Sequence, residues 1–97
     1  MNDLINISVV RKKDNFVEQT VDEELIIVPL HKNAADMNSI FSINATGSFI
    51  WKRINGINSI ENIAKLLTSE YDVDYSKALN DIKGLLLELD NFIEFKN

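Results

Sequence analysis

The pattern of apolar and polar positions changes character once along this chain, at Asn44. Before it, apolar residues alternate or come in short bursts. Phe16-Val17-Glu18-Gln19-Thr20-Val21 alternates and carries β-branched side chains, and Leu25-Ile26-Ile27-Val28 is a continuous apolar run. Asp22-Glu23-Glu24 between them is short enough for a hairpin, and Pro29, which has no amide to give a ladder, ends the second strand. A polar connection, His31 to Asn38, leads to a third alternating run, Ser39-Ile40-Phe41-Ser42-Ile43. The pattern predicts a three-stranded antiparallel sheet over residues 16–21, 25–29 and 39–43, with the last strand at an edge.

After Asn44 the period becomes helical. Asn44 or Thr46 can accept from the free amides of a helix starting at Ala45, in which Phe49, Ile50, Trp51 and Ile54 are apolar on most of the circumference. Gly56 can take the positive φ that ends it. Ser59 is placed to cap a second helix, whose stripe is Ile60, Ile63, Ala64 and Leu67. Asp74 is placed to cap a third, with Tyr75, Leu79, Ile82, Leu86 and Leu89 in line, Ala78 and Leu85 beside them, and Asn91 in the left-handed position that closes it. Helices are expected near 45–55, 60–70 and 75–90, with Phe92-Ile93-Glu94-Phe95 packed back as a tail. Phe41, Ile43, Phe49, Ile50, Ile54, Ile63, Leu67, Leu79, Ile82, Leu86 and Leu89 should supply most of the core, and Trp51 reads most simply as core, with an interface role as the alternative. Residues 1–14 read either as a flexible lead or as a short added strand through Ile7 and Val9, with Arg11-Lys12-Lys13 as a solvated turn or a contact for an acidic partner.

Composition narrows the class. With 97 residues and a 45% hydrophobic fraction, the expectation is one small α+β domain over 1–97. The absence of cysteine removes disulfides and thiolate metal sites and fits a cytoplasmic protein. The start, Met1 to Asn6, lacks a basic, apolar signal sequence, and no run approaches a membrane span. A formal charge of −5 disfavours nucleic acid and anionic membrane as partners.

Catalytic chemistry is sparse. His31 is the sole histidine and has no cysteine to work with, which argues against a catalytic dyad or a His-rich metal site. Asp72 and Asp74 lack the glycine and distal glutamate of a calcium loop. Glycines 47, 56 and 84 are too scattered for a phosphate cradle. No enzymatic activity and no cofactor are expected.

A sheet followed by three helices is the winged-helix outline, so a DNA-binding regulator has to be weighed. From residue 45 to residue 97 six basic residues face eight acidic ones, a balance of −2, and the third helix mixes Asp81 and Glu88 with Lys77 and Lys83. Duplex binding depends on neutralising phosphates, so this half of the chain is a poor DNA reader. A structural or subunit-docking module is the other alternative.

Phe41-x-Ile43-Asn44-x-Thr46-Gly47-x-x-Ile50-Trp51, followed by Ile54-Asn55-Gly56, resembles the signature of the PqqD family. So does the later series Ile63-Ala64-x-x-Leu67, Tyr71-Asp72-Val73-Asp74, Ala78, Asp81-Ile82 and Leu86-x-x-Leu89. The chain departs from the pattern with Ile43 for the usual leucine, Ala45 for a common acidic residue, and Asn91 where a glycine often stands. The family comprises small proteins of pyrroloquinoline-quinone biosynthesis and, more broadly, recognition elements for ribosomally made, post-translationally modified peptides.

The resemblance implies a non-catalytic peptide chaperone. It would bind a precursor's leader segment by strand addition and present it to a modifying enzyme, of the radical S-adenosylmethionine or the peptidase or cyclase type. The residues supply a place for this: an edge strand with unpaired backbone groups beside a long apolar helix. The expected contacts are the backbone of Ile40, Phe41, Ser42 and Ile43, and on the third helix Asp81 and Leu85, with Lys77, Ala78 and Lys83 as further candidates. The two lysines would suit acidic leader residues.

Overall fold

The computed structural model describes residues 3–30 and 40–96. His31, Ser39 and the connection between them lie outside the described residues. The architecture is α+β, as the pattern predicts. A 3-10 turn at Asp3–Ile7 leads to β1 (Val9–Lys12), β2 (Phe16–Val21), β3 (Glu24–Pro29) and β4 (Phe41–Ile43). Helices α1 (Ala45–Lys52), α2 (Ile60–Glu70) and α3 (Tyr75–Glu88) follow, then a 3-10 turn at Asp90–Phe92 and β5 (Ile93–Lys96).

The three-stranded sheet has the order β2-β3-β4, all antiparallel. Its hairpin closes at Val21 opposite Glu24 across two residues, with Asp22 in the left-handed region at φ 57°, a conformation Asp tolerates better than most side chains. One face carries Leu25, Ile27 and Ile43 into the core, and α1 packs there.

Each helix begins where local chemistry requires. The side chain of Asn44 accepts from the Gly47 amide, that of Ser59 from Asn62, and that of Asp74 from Lys77, each removing one of the unpaired donors of a first turn. Helix α1 stops at Lys52, earlier than expected, because the chain tightens: Arg53 and Ile54 donate to Ile50 and Trp51, three residues back. The Asn55 side chain then takes the amides of Ile57 and Asn58. Gly56 does adopt a positive φ, 80°, but four residues beyond the helix, where its amide reaches the Val10 carbonyl. Asn91 is not left-handed; it lies within the closing 3-10 turn.

Two regions that read as accessory are built into the fold. β1 pairs antiparallel with β5 in a second, two-stranded sheet, and Val10 is fully buried. The Ser8 carbonyl accepts from Ile60, so the same segment holds the start of α2. Two members of the basic cluster are engaged internally: the Arg11 guanidinium pairs with Glu94, and the Lys12 ammonium sits 4.7 Å over the Trp51 ring, while Lys13 is exposed. Burial lowers the Lys12 pKa from its ordinary 10.5, and Glu18 nearby opposes the shift.

Trp51 is fully buried, its indole N–H donating to Glu18 Oε1 at 3.0 Å, with Phe16 edge-on at 5.4 Å. Ile43, Ile50, Ile54, Ile63, Leu67, Ile82, Leu86 and Leu89 are buried as expected. Phe41, Phe49 and Leu79 are only partly buried at the margin of the core. Phe41 meets the Phe92 ring, and Phe49 is covered by Tyr71 and by the Arg53 guanidinium. On α3 the buried stripe is turned toward Ala78, Ile82 and Leu85, leaving Tyr75 largely exposed.

Candidate functional site

The outer edge of β4 is unpaired among the described residues, and the direction of its backbone groups follows from the hairpin. A two-residue turn makes Val21 and Glu24 a hydrogen-bonded pair, so Glu24, Ile26 and Val28 direct their amides and carbonyls at β2. The bond from the Leu30 amide to the Asn15 carbonyl continues that alternation. Leu25 and Ile27 must then bond β4 through Ile43 and Phe41, their register partners. Ser42, opposite Ile26, turns its N–H and C=O away from β3 into the open edge. Ile40 and Asn44, two residues either side, share that direction, but the Asn44 carbonyl is already engaged by Ser48.

Between this edge and α3 runs an open groove of about 540 Å³. Ser42, Ile43 and Asn44 form one wall, and Lys77, Asn80, Asp81, Gly84, Leu85 and Glu88 form the other. Thr46, Gly47 and Ile50 of α1 close the floor. The floor is tight at Gly47: a Cβ there would overlap Ile43 Cγ2 and lie 3.6 Å from Leu85 Cδ1. Glycine therefore lets β4, α1 and α3 meet. Gly47→Ala should be destabilising, since overpacking costs about 1–3 kcal/mol and the helical gain of replacing glycine recovers only about 0.5–1 kcal/mol. Urea denaturation should show a lower midpoint with an unchanged slope; an unaltered midpoint would mean that Ile43 moves aside freely.

Gly84 is different. A Cβ there would meet nothing within 4 Å. Glycine inside an exposed helix costs roughly 1 kcal/mol relative to alanine, and no neighbour among the described residues accounts for it. Its effect is to leave the middle of the groove without a side chain.

The structure brings together some of the residues picked out from the sequence. Ser42, Ile43, Lys77, Asp81 and Leu85 line the groove, with Ile40 half-exposed before it and Phe41 partly buried against Phe92. Ala78 is fully buried on the core side of α3 and has no surface to offer a ligand. Lys83 lies on another face, in an apolar depression with Ile5, Ile60, Leu86, Leu87, Asp90 and Phe95. Lys77 is engaged by Asp81, one turn along, at 3.1 Å. Among the described residues the groove therefore has no pair of free lysines. Sequence reasoning missed Asn80, Gly84 and Glu88, although their three- and four-residue spacing from Lys77 places all of them on one helix face. Among the described residues no cluster of His, Asp or Glu could hold a metal ion, and no helix is long and apolar enough to cross a membrane.

Residues 24–91, more than half of the chain, match the family model described as coenzyme PQQ synthesis protein D (PqqD). The chain belongs to the PqqD family. The matched span runs from the start of β3 past the end of α3, so it contains both walls of the groove. The curated proteins hold no significant match. Two solved structures share the fold of this PqqD-family chain. One, TbiB1 in complex with the TbiA(beta) leader peptide, is 26% identical with a TM-score of 0.69, over 84% of this chain and 88% of that one. The other, lasso peptide synthetase B1 complexed with the leader peptide, is 22% identical with a TM-score of 0.71, over 88% of this chain and 96% of that one.

Proposed function

We propose that this PqqD-family chain is an adaptor that binds the leader segment of a ribosomally made precursor peptide as an added strand on β4. The observation that carries the reading is the groove, where the outward N–H and C=O of Ser42 face α3 across an open channel. Main-chain pairing along such an edge supplies affinity that is indifferent to side chains, and the helix wall supplies selection. The two solved structures similar to this chain were both determined with a leader peptide bound, which supports the same use here. Gly84 fits it too, since an open helix position beside an unpaired strand leaves room for an incoming backbone or side chain.

The chain would act by binding and presentation, handing the leader to a modifying enzyme of the radical S-adenosylmethionine or the peptidase or cyclase type, in the cytoplasm. The site holds carboxylates and one paired lysine, with no activated nucleophile beside a base. Calorimetric titration with the synthetic leader of a precursor encoded beside this gene should give one-to-one binding with micromolar affinity and a negative heat-capacity change. No heat with that leader, combined with tight, sequence-dependent duplex binding in a gel shift, would overturn the reading in favour of a DNA regulator.

A further inference from the structure

Three charged side chains line the groove: Lys77, Asp81 and Glu88. The first two neutralise one another across a single helical turn. Glu88 has neither an ion-pair nor a hydrogen-bond partner among the described residues, and it is exposed. It also stands where a helix least favours an anion. The last turn of α3 carries no basic residue, although free carbonyls there give it negative partial charge that a cation would offset. Asp90 follows directly in the 3-10 turn. One end of the groove is thus electronegative by two contributions, the Glu88 carboxylate and the C-terminus of α3, that no basic residue balances among the described residues lining it; Asp90 and Lys83, the nearest basic residue along α3, lie together on another face.

We infer that Glu88 is a specificity-determining residue: it accepts a lysine or arginine of the bound peptide, so the groove selects a basic rather than an acidic leader. This inference rests on the strand-addition reading above. Geometry places the charge along the peptide. Asp81 and Glu88 are seven residues apart on α3, about 10 Å at the helical rise, a distance that an extended strand covers in about three residues. Only alternate side chains of a strand share a face, so the basic residue lies about two or four positions along the peptide from the residue facing the Lys77–Asp81 pair. The pair offers no net charge, so discrimination by charge should be confined to the Glu88 end.

The test is selection from a displayed library of random peptides on the wild-type protein, on Glu88→Lys and on Glu70→Lys. The last makes the same change in net charge on α2, away from the groove. Binders that depend on the β4 edge are those lost with Ser42→Pro. Among these, wild type and Glu70→Lys should enrich lysine or arginine at one fixed position, and Glu88→Lys should enrich aspartate or glutamate there. The strongest peptide from the wild-type selection should bind Glu88→Gln about fivefold more weakly, the upper range for an exposed ion pair. Glu88→Lys should weaken it about tenfold or more, and its affinity for wild type should fall as salt rises. Edge-dependent binders with no basic preference, or the same preference in Glu88→Lys, would overturn the charge assignment while leaving strand addition intact. Binders indifferent to Ser42→Pro would overturn both.

Discussion

Replacing Trp51 by alanine should unfold this protein under ordinary conditions rather than selectively weaken a partner. The side chain is fully buried, bonded through its N–H to Glu18, edge-on to Phe16 and covered by the Lys12 ammonium. Removing a buried aromatic of this size costs about 3–5 kcal/mol, a large share of the roughly 5–15 kcal/mol that holds a domain of this length folded. Trp51→Phe separates the packing from the hydrogen bond. Phenylalanine retains most of the ring, and Glu18 is exposed, so its carboxylate can return to water at little cost. Thermal melts followed by circular dichroism should show a loss of cooperative folding for the alanine variant and a modest drop for phenylalanine. A Trp51→Ala melt within a few degrees of wild type would show that the ring's burial contributes little.

Ser42→Pro should abolish leader binding while leaving the fold intact. The Ser42 amide points into the open edge, so the β3–β4 ladder, carried by Phe41 and Ile43 with Ile27 and Leu25, loses no bond when the donor is removed. Proline also keeps the preceding residue extended, as Phe41 already is. An incoming strand, by contrast, loses a donor at the centre of a three-residue edge and meets the ring in the channel. Calorimetry beside circular dichroism is the measurement. Full affinity in a folded Ser42→Pro protein would move the peptide to another edge, of which the outer sides of β2 and β5 are available among the described residues. The sharpness of this test comes from the register; before the pairing was known, proline at Ser42 could equally have broken the sheet.

What the sequence determined by itself is what depends on neighbours a few residues away. The caps Asn44, Ser59 and Asp74 act on amides three residues on, and a short hairpin joins β2 to β3, one residue tighter than the connection Asp22-Glu23-Glu24 expected. Those interactions are local, so composition and spacing suffice to read them. The β4-to-α1 run from Phe41 to Trp51 was legible for the same reason, and it carried the family. The tertiary structure decided what depends on elements far apart in the chain. It paired β1 with β5, joining residues more than eighty positions apart, and so turned an apparent lead and tail into a sheet. It rotated α3 so that Ala78 and Leu85 pack inward and Glu88 lines the groove while Lys83 does not. An amphipathic stripe gives a helix's inward face only to within a residue or so. Ile43 and Leu85 both close on Gly47, and those approaches exist only once β4, α1 and α3 have met.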